Sequence, residues 1–291
     1  METTRPQHTD QPQHARQSET VRRALGGAAE FRHFAGFDQL FAPHAHDYPV
    51  LGLVREGHRL MECNRVRYRL GPGQLLALNA GDAHGCVQEG AVPLVYDSLA
   101  LLDCPGCPPV SGPVVEDAEA VALMEEVVEL SQAPTVDEAH LEETLCLLVS
   151  LLTPCDRPES DAVGRPRGQS KTCNGIEPRD DAAHVMVAYL RRRASETVRL
   201  EEVAAAAGLD KYRALRSFTA SFGLTPMRYL ASLRVELARE ALADGASCAE
   251  AALAAGFADQ AHMTRAFKER LGMTPGFYQR AIASSAEQVR P

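Results

Sequence analysis

Val203-Ala204-Ala205-Ala206-Ala207-Gly208-Leu209-Asp210 and Ala251-Ala252-Leu253-Ala254-Ala255-Gly256-Phe257-Ala258-Asp259 open two copies of one pattern. The first copy runs on to Phe218, then Gly223-Leu224-Thr225-Pro226 and Tyr229. The second runs on to Phe267, then Gly272-Met273-Thr274-Pro275 and Tyr278. From the Asp to the closing Tyr the offset stays at 49, with one residue of slack in the turn between Gly208 and Gly256. Each copy has the grammar of a helix-turn-helix. A short Ala-rich helix stops at a Gly that tolerates positive φ, and an Asp then caps the next helix by accepting from its free N–H groups.

In the second helix of each copy, Ala214 and Phe218, or Met263 and Phe267, lie four apart and are predicted to face inward. The outward faces carry Lys211, Tyr212, Leu215 and Arg216 in one copy and Gln260, Ala261, Thr264 and Arg265 in the other. Such side chains near a helix N-terminus suit the major groove, where Arg reads guanine, Gln reads adenine and Ala or Thr meets the thymine methyl. Pro226 to Ala243 joins the copies as a predicted helix with Leu230, Leu233, Leu237, Ala241 and Leu242 on one side. Its 18 residues would span roughly 27 Å. With the flanking helices added, that is close to the ~34 Å between successive major-groove faces.

The segment Ala254 to Lys268 (AAGFADQAHMTRAFK), with Gly272-Met273-Thr274-Pro275, resembles the signature of the AraC/XylS family of bacterial transcriptional regulators. The resemblance covers about a hundred residues and is sharper in the second copy. It implies double-stranded DNA as a partner, with recognition helices near residues 211–221 and 259–270, and RNA polymerase as a further partner if the protein activates. Leu215 departs from the family, which often has a polar reader there, so the first helix is expected to give a methyl contact or phosphate contacts through Lys211, Arg213 and Arg216.

The rest of the chain is read outward from that domain. At 291 residues, 45% of them apolar, the chain has room for two cores and a linker. No apolar run reaches the ~18 residues of a membrane helix, and Met1 to Thr20 lacks the apolar segment of a secretory signal, so a cytoplasmic location is expected. The net charge of −9 is uneven: residues 176–291 hold 16 Lys and Arg against 14 Asp and Glu, and the acidic excess lies before them. A weakly basic reading domain leans on base contacts and dimerisation more than on phosphate attraction.

Residues 1–28 are expected to be a disordered tail. Phe31 to about Val110 has a β texture: Arg65 to Leu70 alternates, Gly71-Pro72-Gly73 turns into the apolar run Leu75-Leu76-Ala77-Leu78, and Asn79-Ala80-Gly81-Asp82 turns again before His84. Pro43-His44-Ala45-His46-Asp47 puts two His on one strand face, and His84 supplies a third across a barrel. This resembles the two cupin motifs, although Val50 or Leu51 stands where a metal-binding cupin has Glu. By resemblance to AraC-like regulators, the barrel would bind a small-molecule effector and support a homodimer without metal, and no cofactor is required. Two alternatives stay open. His44, His46 and His84, with Cys86 two residues on and Cys63, could sense a divalent metal or a thiol oxidant; more remotely, the barrel could be a cupin metalloenzyme with a DNA-binding appendage. Cys104-Pro105-Gly106-Cys107 is a lone pair without the second half of a zinc site or a following helix, and reads as a turn.

Two amphipathic helices are predicted at Glu116–Ser131 (Val121, Met124, Val127, Val128) and Asp137–Leu152 (Leu141, Leu145, Leu148, Leu152). They form a hairpin that either caps its own barrel or, by resemblance, pairs with its mate in a homodimer. Pro154 to Pro178 reads as a linker. Asp181 would cap a helix packing through Val185, Tyr189 and Leu190, and Arg191-Arg192-Arg193 would form its solvated end or a phosphate clamp. The expected class is an α+β multidomain chain: tail 1–28, cupin-like barrel with αα-hairpin 29–153, linker 154–179, all-α domain with two helix-turn-helix units 180–283, and a fraying tail 284–291. The expected function is a DNA-binding transcriptional regulator, not an enzyme, in which effector binding shifts how two protomers engage adjacent half-sites.

Overall fold

The computed structural model describes residues 18–37, 40–104, 108–154 and 181–288, the side chains of 181 and 286–288 excepted. Ten strands come first: β1 (Ser18–Ala24), β2 (Ala29–Phe37), β3 (Phe41–His44), β4 (Val50–Glu56), β5 (His58–Cys63), β6 (Val66–Leu70), β7 (Leu75–Leu78), β8 (His84–Glu89), β9 (Leu94–Leu101) and β10 (Val114–Val115). They form two antiparallel sheets, ordered β1-β2-β9-β4-β7-β10 and β3-β8-β5-β6.

The larger sheet is buried on both faces, which explains the unbroken apolar runs of β4 and β7. Phe34, Val50, Val54, Leu76 and Leu78 point into the barrel. Phe31, Leu51, Leu53, Leu75 and Leu99 point outward, against the hairpin of α1 (Ala118–Gln132) and α2 (Glu138–Leu152). Asp117 and Asp137 cap those helices. The stripe Leu141, Leu145, Leu148, Leu152 is buried on the chain's own barrel, and Leu147 and Leu151 stay exposed.

The C-terminal helices are α3 (Asp181–Arg192), α4 (Leu200–Ala206), α5 (Lys211–Phe222), α6 (Pro226–Ala243), α7 (Cys248–Ala254), α8 (Gln260–Leu271) and α9 (Pro275–Gln288). The duplication survives in atomic detail. Gly208 and Gly256 turn with φ of 67° and 78°. Asp210 accepts from the amides of Tyr212 and Arg213, and Asp259 from that of His262. Phe218 meets Tyr229 edge-on at 5.6 Å, and Phe267 meets Tyr278 at 5.7 Å.

Several expectations need correction. Residues 18–28 are not tail: Ser18–Ala24 forms an edge strand paired along its whole length with β2. The C-terminus does not fray at 284, because α9 continues to Gln288 and the Ser285 hydroxyl donates to Val21 O. On α6, Leu237 is 37% exposed, whereas Arg239 is only 2% exposed, because the barrel covers that side. On α3, Leu190 is buried as expected, but Val185 is exposed and Ala183 and Met186 are buried in its place. His44 ends β3, so His46 lies beyond the strand. Residues 1–17, the linker apart from Pro154, Pro105 to Cys107 and the side chain of Asp181 fall outside the described residues.

Candidate nucleic-acid interface and barrel cavity

Helices α5 and α8 each bury one stripe and expose the other. Ala214, Phe218, Met263 and Phe267 have no exposed surface. Lys211, Tyr212, Arg216, Gln260, Ala261 and Arg265 are exposed, and Leu215 and Thr264 half-buried. Thr264, half-buried, donates its hydroxyl to Gln260 O at 2.8 Å. The amides of Arg213 and Tyr212 hold the Asp210 carboxyl below its usual range, so the cap stays ionised.

At their other ends both helices run into the barrel. Gly223 and Gly272 end α5 and α8 in the left-handed region, with φ of 67° and 79°. A Cβ at Gly223 would lie 3.0 Å from Ala83, and one at Gly272 3.0–3.1 Å from the rings of Phe34 and Phe41. The two closing tyrosines dock in parallel. The Tyr278 hydroxyl donates to Glu30 at 2.7 Å and the Tyr229 hydroxyl to Asp47 at 3.5 Å. Arg191 reaches the same Asp47 at 2.7 Å with its side chain 53% exposed, so the first Arg of the triple run ties the solvated end of α3 to the barrel.

Between these ties lies a buried ionic cluster. Glu30, fully buried on β2, takes Arg32 at 2.5 Å, Arg23 at 3.1 Å and Arg239 of α6 at 3.3 Å. Burial works against its charge, but Arg32, Arg239, the Tyr278 hydroxyl and Arg23 outweigh it and hold the carboxyl down at about 2. Glu236 of α6 accepts from Arg239 at 2.7 Å, from the Tyr48 hydroxyl at 3.0 Å and from His46 Nδ1 at 3.0 Å.

His46 belongs to the triad, which the structure brings together. His44, His46 and His84 each offer a nitrogen within 4.8 Å of the others. Each has its Nδ1 donating to a fixed acceptor: Ala42 O at 2.7 Å, Glu236, and Asp82 O at 2.9 Å. The Nε2 atoms are therefore the ones left for a ligand. Burial, then the neighbouring imidazoles, push His84 down to about 3 and His44 well below its ordinary value. The three line a cavity of about 80 Å³ inside the barrel. Cys86 also lines it, but burial pushes its thiol up, which disfavours the reactive thiolate. Cys63 is buried opposite His84.

Nothing in the sequence pointed to Arg32, Arg59 and Arg270, which share this cavity with the triad. Arg270 and Leu271 come from the last turn of α8, so the barrel cavity is closed partly by the second helix of a helix-turn-helix unit. The only trace in sequence is an Arg on the buried stripe of a capped helix, which reads equally well as a helix-end cation.

Comparisons with known proteins agree with this architecture. Residues 27–149 match the AraC-like ligand binding domain family and residues 203–281 a helix-turn-helix domain family. The chain is 30% identical over 246 residues to the uncharacterised HTH-type transcriptional regulator YbfI of Bacillus subtilis (strain 168), covering 79% of this chain and 84% of that protein. It is 28% identical over 96 residues to the MmsAB operon regulatory protein of Pseudomonas aeruginosa, covering 33% and 31% of the two chains. Among solved structures, an apo ToxT variant from Vibrio cholerae aligns at TM-score 0.55 and 11% identity, over 89% of this chain and 100% of that one. Wild-type ToxT bound to an unsaturated fatty acid aligns at 0.52 and 10%, over 92% and 96%. Among the described residues no helix is long and apolar enough to cross a membrane. With a ligand-binding barrel on one side and two helix-turn-helix units on the other, this chain belongs to the AraC family of DNA-binding transcriptional regulators.

Proposed function

We propose that occupancy of the barrel cavity controls this regulator's DNA binding, and that the bound molecule is a small organic effector. The observation that carries the reading is the cavity wall: Arg270 and Leu271 belong to the helix whose other end presents Gln260, Ala261, Thr264 and Arg265. A molecule in the barrel therefore touches a reading helix directly, and its differential contacts can bias that helix. Thermal-shift screening of the full chain against small metabolites tests this; a cavity that takes none of them overturns it.

Base reading is assigned to the exposed faces. Arg265→Ala is expected to weaken specific binding by ~1–3 kcal/mol and to relax one base position. Equal losses on specific and random duplexes would make Arg265 a phosphate contact. Lys211→Ala is expected mainly to flatten the salt dependence of binding, by about one unit of slope. Leu215, flanked by exposed Arg213 and Arg216, fits a methyl contact supported by phosphate contacts. Homodimer formation is assigned to the outer face of α2, where Leu147 and Leu151 are 55% and 40% exposed. RNA polymerase is a partner in the case where the bound protein activates.

The triad supports a second reading, in which the barrel senses a divalent ion. Three nitrogens no more than 4.8 Å apart share a centre no more than about 2.8 Å from each, against the ~2.0–2.1 Å of a zinc–imidazole bond, so closing on an ion needs under ~1 Å of movement. The Nδ1 acceptors are the outer-shell partners such ligands ordinarily have. Against it, the Glu position is filled by buried Val50 and Leu51, and guanidinium groups line the same cavity. Elemental analysis of protein purified without chelator separates the readings. The effector reading expects metal far below one ion per chain, whereas about one ion, lost in His84→Ala, establishes the metal.

A further inference from the structure

We propose that the effector is a small organic anion, and that Arg270 in the last turn of α8 is the group that receives its charge. This rests on the effector reading of the barrel cavity and adds to it the ligand's class and its point of contact.

The charge of the lining is one-sided. Among the described residues, Arg32, Arg59 and Arg270 line the cavity and no Asp or Glu does. Arg32 is matched by Glu30 behind it, at 2.5 and 2.8 Å. Arg59 lies over the Phe41 ring and donates to Cys86 Sγ at 3.6 Å. Arg270 is different. Its side chain is 8% exposed, and Nη1 donates to Ala266 O of its own helix at 3.1 Å. The nearest carboxylate, Glu269, is 4.0 Å away and itself 60% exposed. Among the described residues, its buried Nε finds no hydrogen-bond partner.

Bonding to its own helix end accounts for Nη1. That bond is equally open to an exposed side chain, so it does not account for a guanidinium carried into a cavity walled by Leu76, Leu78, Leu94 and Leu271. Buried polar atoms left without partners are few in native proteins, and each calls for a cause. Burial holds this guanidinium below its ordinary value, so the site as it stands stabilises the charge poorly. A carboxylate or similar anion supplies the missing acceptor through a charge-assisted bond. The aliphatic wall takes a short apolar body. A volume of about 80 Å³ holds roughly half a dozen heavy atoms, at the ~10–15 Å³ a water-sized group needs. The same three guanidinium groups oppose a free divalent cation at the triad.

Isothermal titration of the full chain tests this with propanoate, butanoate, pentanoate and hexanoate, each beside its primary amide. At least one acid is expected to bind tenfold or more tighter than its amide. Arg270→Gln is expected to lower that acid's affinity at least tenfold, with Arg270→Lys, which keeps the charge, recovering part of the loss. Amides that bind as well as acids overturn the anion and leave the effector cavity standing. An acid preference that survives Arg270→Gln overturns the role of Arg270. No binding by either set overturns the small-anion proposal alone, since the effector reading is decided separately by the metabolite screen. If the Gln variant does not fold, hydrogen exchange on the unaltered protein tests the same contact. Bound acid is expected to slow the amides of residues 266–272, and unchanged exchange there rules out the contact with α8.

Discussion

Glu30→Ala is expected to destabilise the protein by ~3–5 kcal/mol, because it strips the shared partner from a buried cluster and leaves charges behind. Glu30 has no exposed surface, and Arg32 and Arg239 beside it are 7% and 2% exposed. Neither guanidinium can turn to water without opening the junction between barrel and α6. The Tyr278 hydroxyl loses its acceptor in the same step. The shift in urea midpoint measures the effect, and a loss below ~1 kcal/mol would show that the cluster relaxes into solvent. Glu30→Gln keeps the shape and removes the charge, so it should recover little.

The same carboxyl gives the stability a pH dependence of known sign. Its ordinary value is 4.5 and the folded protein holds it at about 2. A group depressed by folding contributes fully above its unfolded value and loses that contribution as pH falls through the folded one. The junction is therefore expected to weaken between about pH 4.5 and pH 2, and Glu30→Gln should remove this part of the acid sensitivity. Glu236, also held down by Arg239 and His46 against the cost of burial, adds to the same trend.

Phe267→Ala is the second large effect, expected at ~3–5 kcal/mol for removing a fully buried aromatic side chain. The ring has no exposed surface and lies in the core shared by α6 to α9 and the barrel. It also braces Tyr278 at 5.7 Å, so its loss loosens the phenol that ties α9 to Glu30. Specific DNA binding should fall along with stability, since α8 loses its inner support. Phe267→Leu, which keeps most of the volume, should cost less on both counts. If Phe267→Ala lowers stability but leaves specific binding intact at a temperature where it is folded, then α8 is held by its barrel contacts alone.

The reading domain was legible because its signals are local. An Asp cap, a Gly turn and a Phe four residues from its partner act within one or two helical turns, and the 49-residue offset repeats them. The strand run 75–78 was legible for the same reason, being short, apolar and bounded by turns. The misreadings all concern contacts made at long range. Ser18–Ala24 looks like tail because only Val21 and Ala24 are buried, and its order comes from pairing with β2 and from α9. Arg239 looks like the wet side of α6 until Glu30, 209 residues away, is placed beside it. Arg270 looks like an ordinary helix-end cation until the barrel closes over it.

Both reading helices end in a glycine seated on the barrel, and this makes each of them a lever. At 12 residues, α8 is roughly 18 Å long, held near its middle by the core and free at the tip that carries Gln260 and Arg265. Rocked about that fulcrum, a displacement of about 1 Å at the seated end moves the tip by a similar amount in the opposite sense. Hydrogen bonds to base edges span only ~2.7–3.2 Å, so a tilt of that size breaks them. Under the proposed effector control, a change in how Phe34 and Phe41 bear on Gly272 is expected to shift the tip of α8 without a rearrangement of the two domains.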